Sequence, residues 1–223
     1  MAIEQKGMLS PFTLFTSIIT GGFFPLLGSF FAALFIDDIY IPGVVLTSFG
    51  GFLAHYVLAH TIHDLYHYDI EARHTLSKNT LKILLIVSLI ILLSIMAYLA
   101  IETGWPVILF SVIGALVSLY AEGLIHHESQ MAFGAMFLVI GAFYVQMGYF
   151  YNADVAEAFS STRAWIEAIL LSLFAFFSQY GWLLFYRLDD YGWSAKKRNE
   201  SILITKLGLI FLVILFAVHA FWR

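Results

Sequence analysis

Between residues 60 and 74 the chain reads His-Thr-Ile-His-Asp-Leu-Tyr-His-Tyr-Asp-Ile-Glu-Ala-Arg-His. A long apolar run ends there and ionisable side chains crowd in. On a helix, His60, Asp64, His67, Glu71 and His74 recur at steps of four, three, four and three, which sets them on one face. His63 and His67 are a second i, i+4 pair, close enough to share one metal ion. Neutral imidazole suits Fe, Zn or Cu far better than Mg²⁺. A set drawn from His60, His63, Asp64 and His67, with His126, His127 and Glu128 opposite, is therefore a candidate for one or two transition metals. Water or O₂ bound there would serve to hydrolyse or oxidise a lipid. The plain alternative is a helix end whose polar side chains simply face water.

The elements that must carry this stripe are membrane spans. Of the 223 residues 61% are hydrophobic and only 12% charged, with a mean hydropathy of +0.88. Several apolar runs approach the ~20 residues that cross a bilayer. The expected fold is all-α: one polytopic domain over 1–223, with about seven spans near 11–34, 43–62, 80–100, 105–122, 130–149, 164–186 and 203–221. A bilayer tolerates an ionisable stripe only where it faces a cavity, water or bound ions. The chain has no cysteine, so thiolate metal sites and disulfides are excluded. Its net charge of −4 points away from nucleic acid. The N-terminal stretch has no cleavage-like segment, so the first span is expected to be retained.

Pro25 is expected to bend the first span, and Gly134, Gly141 and Gly148 lie seven apart as a smooth stripe for close helix contact. His55, inside an apolar run, reads as an interior hydrogen-bonded histidine. His219, near Trp222 and Arg223, reads as interfacial. Arg73, Lys78 and Lys82 surround the second loop, and Arg187, Lys196, Lys197, Arg198 and Lys206 the sixth, whereas the first and third loops have no Lys or Arg. The positive-inside rule then puts the N-terminus in the cytoplasm and the C-terminus outside. The second, fourth and sixth loops fall together on the cytoplasmic side. They carry residues 60–74, then His126-His127-Glu128, then Asp189-Asp190 with Lys196-Lys197-Arg198. Three polar clusters thus reach one membrane face, where they could line the mouth of one pocket with an apolar body.

These clusters resemble the UbiA-type intramembrane prenyltransferase superfamily. Its first motif, Asn-Asp-x-x-Asp-x-x-x-Asp, is matched in place by His63, Asp64, His67 and Glu71. Ala132-Phe133-Gly134 followed by Gly141-Ala142-Phe143-Tyr144-Val145-Gln146-Met147-Gly148 is similar to the menaquinone-type branch, with Glu128 near that branch's acidic residue and Tyr120 at the end of the fourth helix. Asp189 and Asp190 resemble the start of the second Asp motif. Its second carboxylate is replaced by Trp193 or Ser194, and Glu200 stands where the family has a basic residue. The family usually has nine helices, so a membrane partner supplying the missing ones is one expectation.

The resemblance implies transfer of an isoprenyl group from its diphosphate to a lipophilic acceptor. It implies a divalent metal, Mg²⁺ in the family, held here by Asp64, Glu71, Asp189 and Asp190. Arg73, Lys78, Lys196, Lys197 and Arg198 would cradle phosphates, and Tyr120 and Tyr144 would line the substrate site. Two other readings stay open. One is the transition-metal lipid chemistry described above. The other is a non-catalytic isoprenoid- or quinone-binding subunit of a membrane complex.

Overall fold

The computed structural model of the chain describes residues 11–68, 76–123, 128–189 and 191–222, apart from the side chains of Phe12 and of residues 118–123. These residues are helical, and no strand occurs among them. The first helix, α1 (11–32), is built of Pro11–Ser17, a π-helical Ile18–Phe23 and Phe24–Ala32. The second, α2 (Ile41–Tyr66), contains a second π-helical segment, Leu53–Ala59. Then follow α3 (Lys78–Thr103), α4 (Pro106–Gly123), α5 (Glu128–Phe150), a short α6 (Val155–Ala158), α7 (Thr162–Tyr186) and α8 (Ala195–Phe221). Six of these are long and apolar enough to cross a membrane; the apolar part of α4, Pro106–Val117, is shorter. The chain is an all-α, polytopic membrane protein.

Local chemistry sets the ends. Ser77 Oγ accepts from the Thr80 N–H and starts α3, and Ser161 Oγ does the same for Ala164 at the start of α7. Gly104, at φ +98, turns the chain sharply between α3 and α4. Pro25 does not kink a continuous helix. It opens a new α segment, and the wide turn lies just before it. The missing N–H of a proline leaves the carbonyl four residues earlier, here Gly21, without its helical donor. α8 begins eight residues earlier than its apolar run suggests, because Lys196, Lys197 and Arg198 form its first turns beyond the apolar stretch.

Helix α5 is the most enclosed, with 61% of its apolar window buried, and it packs against α1, α2, α3, α4 and α7. Its glycines serve as expected in part. A Cβ on Gly148 would sit 2.2 Å from the Thr103 carbonyl oxygen, and one on Gly141 would meet Phe110 at 3.3 Å; Gly134 borders a cavity instead. Equally close helix crossings lie elsewhere. A Cβ on Gly51 would stand 2.2 Å from the Gly21 oxygen, and one on Gly28 2.1 Å from the Val139 oxygen. Gln146, fully buried on α5, accepts from the Tyr40 N–H at 2.8 Å and donates to the Tyr40 carbonyl at 3.2 Å, which fixes the α1–α2 loop.

A polar helix end above an apolar slot as the candidate functional site

The last two turns of α2 carry the described part of the stripe. His63 Nδ1 lies 3.3 Å from Asp64 Oδ1, and the His63 and His67 rings are 4.7 Å apart. The α-helix ends at Tyr66, and the His67 N–H bonds to the His63 carbonyl at 3.0 Å. The sequence carries the stripe on to Glu71 and His74. Those two, with Arg73, lie outside the described residues. Lys78, the first residue of α3, reaches back over the Tyr68 ring at 5.2 Å, so one of the expected phosphate ligands stands beside the end of α2.

Of the second cluster only Glu128 lies within the described residues, and it is engaged inside the protein. Glu128, a candidate metal ligand, is buried at 4% exposure as the first residue of α5. Its Oε1 lies 3.2 Å from the Arg187 guanidinium and accepts the Tyr191 hydroxyl. A buried carboxylate costs several kcal/mol unless paired and hydrogen-bonded. Glu128 is thus committed to tying α5 to the α7–α8 turn. Lys197 Nζ stands 4.8 Å over the Tyr191 ring and 3.2 Å from Glu200, so that expected phosphate ligand is already ion-paired. Lys196 and Arg198 are exposed on the same helix start. Asp189 is exposed and accepts the Trp193 indole N–H. Asp190, His126 and His127 lie outside the described residues, as does the side chain of Tyr120.

The alternation of helices brings these groups to one end of the bundle, since α2, α4 and α7 finish there and α3, α5 and α8 start there. Tyr144 does not join them. It is fully buried about 24 Å along α5 from Glu128, and its hydroxyl donates to the Thr103 carbonyl at 2.7 Å. At that far end Glu167, fully buried, binds Arg163 Nε at 2.8 Å and His219 Nδ1 at 2.7 Å, which locks α7 to α8. His219 is therefore an ion-pair partner as well as a residue of the helix end.

Beneath the polar end, α2, α3, α4 and α5 enclose a slot of about 270 Å³. It is walled by residues such as Leu58, Leu89, Leu99, Phe110, Met131 and Val145, and among the described residues no charged one lines it. From Leu89 to Leu99 it follows α3 for about 15 Å. Its few polar neighbours include Thr47, bonded to the Gly43 carbonyl at 2.8 Å, and His55, whose Nδ1 lies 3.1 Å from Ser17 Oγ. Long apolar cavities with sparse polar groups suit lipid tails.

Among the described residues, no three His, Asp or Glu side chains stand close enough to hold one ion. The donors near Asp64 are imidazoles, Glu128 is spent on Arg187 and Tyr191, and Asp189 is exposed beside Trp193. Mg²⁺ wants several hard oxygens in octahedral array; of the four carboxylates expected to supply them, Asp64 and Asp189 are described, and Glu71 and Asp190 lie outside the described residues. Sequence reasoning assigned Arg187 to topology alone and passed over Tyr191; the only signal was a buried-type acid, Glu128, in need of a cation. No protein-family model, curated protein or solved structure matches the chain.

Proposed function

We propose that this chain is a UbiA-like intramembrane prenyltransferase, which takes up an isoprenyl diphosphate and passes its prenyl group to a lipophilic acceptor. The observation that carries this reading is the apolar slot lying directly under a polar helix end. The tail occupies the slot, and the diphosphate meets Lys78, Lys196 and Arg198 at its mouth. The bond between the allylic carbon and the diphosphate oxygen breaks, and the diphosphate leaves with the electron pair. The allylic carbon bonds to the acceptor, whose proton passes to His63, oriented by Asp64 at 3.3 Å. The basic residues of the loops at this end support a cytoplasmic orientation for it.

Purified protein in nanodiscs, given farnesyl diphosphate, a quinol acceptor and Mg²⁺, is expected to release diphosphate. Asp64→Ala and Lys196→Ala/Arg198→Ala should each lower that release at least tenfold. Wild type that releases none, while retaining bound farnesyl diphosphate, would instead establish a non-catalytic isoprenoid-binding subunit. That second reading draws support from Glu128 and Lys197, which are both engaged within the protein.

A further inference from the structure

We infer that the slot takes the acceptor beside the isoprenyl tail, that His55 is the recognition point for the acceptor, and that the acceptor is a neutral lipophile carrying a hydroxyl or carbonyl oxygen. This rests on the slot being the lipid site. His55 is among the residues that line the slot. Its Nδ1 is engaged by Ser17 at 3.1 Å, while its Nε2 is buried and has no hydrogen-bond partner among the described residues. A buried polar atom left unsatisfied is costly, and such atoms are normally paired. The slot's occupant is the partner this nitrogen lacks.

The backbone around the ring is unusual in the same place. His55 lies in the π-helical segment Leu53–Ala59, and Ser17 immediately precedes the π-helical Ile18–Phe23. π-turns are rare and gather at functional sites, because the extra residue re-aims side chains. The two irregular segments pack against each other, and Gly21 crosses the α-helical Gly51 just before the second one begins. Both distortions thus serve to set Ser17 against His55. Gly50, Ala54 and Ala59, all small, line the slot on the same helix as His55.

The chemistry of the ligand follows. Among the described residues no charged one lines the slot, so a charged head group there would lack a counterion from them. A hydroxyl serves either tautomer of the imidazole, donating to a bare Nε2 or accepting from Nε2–H. A carbonyl serves only Nε2–H, with Ser17 then donating to Nδ1. His55 precedes His60 by little more than one turn, so the acceptor's oxygen sits just below the diphosphate.

Farnesol and farnesene share a chain and differ in the oxygen. Their affinities are to be measured in nanodiscs holding wild type, His55→Leu or His55→Gln, corrected against empty discs. Wild type should hold farnesol about three- to tenfold more tightly than farnesene. His55→Leu should erase that difference and keep the farnesene affinity, while His55→Gln keeps part of it. Equal binding of the two lipids by wild type, or a preference that survives in His55→Leu, overturns the role of His55 and leaves the slot reading standing. If His55→Leu loses both lipids through misfolding, the His55→Gln variant decides: a full wild-type preference there overturns the role. If wild type binds neither lipid, the slot reading falls and the His55 inference with it.

Discussion

Glu128 shows how a residue's neighbourhood decides its chemistry. Read along the chain, it sits beside two histidines and looks like a metal ligand. Folded, it meets Arg187 and Tyr191, the latter 63 positions away. Periodicity reports which residues share a helix face, so the stripe through His60, His63, Asp64 and His67 was legible. It does not report which distant residue supplies a counterion. Arg187→Met should leave Glu128 buried without its cation and cost about 3 kcal/mol. Thermal unfolding in detergent would show this, and Glu128→Gln in the same protein should recover most of the loss. A second residue-scale effect concerns pH. Burial, with the Tyr98 hydroxyl 3.1 Å away, pushes the Tyr40 phenol well above its ordinary range. Its folded pKa is raised, so its contribution to stability is intact below about pH 10 and is lost as pH rises further. Tyr40→Phe should therefore flatten the alkaline fall in unfolding temperature, without altering its value near pH 7 by more than the lost hydrogen bond.

At the scale of elements, the spans themselves were legible because twenty-residue apolar runs leave little choice. The ends of α2 and α8 were less so. Both helices continue past the apolar stretch into charged sequence, and charge alone reads as loop. The two π-helical segments left no periodic signal. Neither did the Gly21–Gly51 crossing, because a glycine's value there depends on which backbone it faces. Gly148 carried such a signal through its spacing, and it does face a carbonyl. Gly51→Ala should force α1 and α2 apart and cost about 1–3 kcal/mol, with a fall in folded yield. Gly22→Ala is the matched control: nothing lies within 4 Å of its Cβ, so the change should be neutral or stabilise by up to about 1 kcal/mol. Equal behaviour of the two variants would remove the close crossing from the account.

For the whole molecule, exposed apolar side chains such as Ile83, Val87 and Ile90 on α3, and Ile210, Val213 and Phe216 on α8, form a lipid-facing belt. The ionisable clusters lie at the ends, and the slot lies inside. That partition was foreseeable from composition and topology; the slot's walls were not, since they need four helices in register. The central claim is that an isoprenoid tail enters this slot. A farnesyl diphosphate analogue with a diazirine at the tail end tests it most directly, by photolysis in nanodiscs and mapping of the labelled peptides. Labelling should fall on slot residues such as Leu46, Leu92, Leu99 and Phe110, and Gly50→Leu should abolish it. A Cβ at Gly50 meets Ile95 and Leu92 at an ordinary 3.8 Å, so the added bulk enters the slot rather than straining a backbone contact. Labelling confined to the outer belt, or unaffected by Gly50→Leu, would contradict the account.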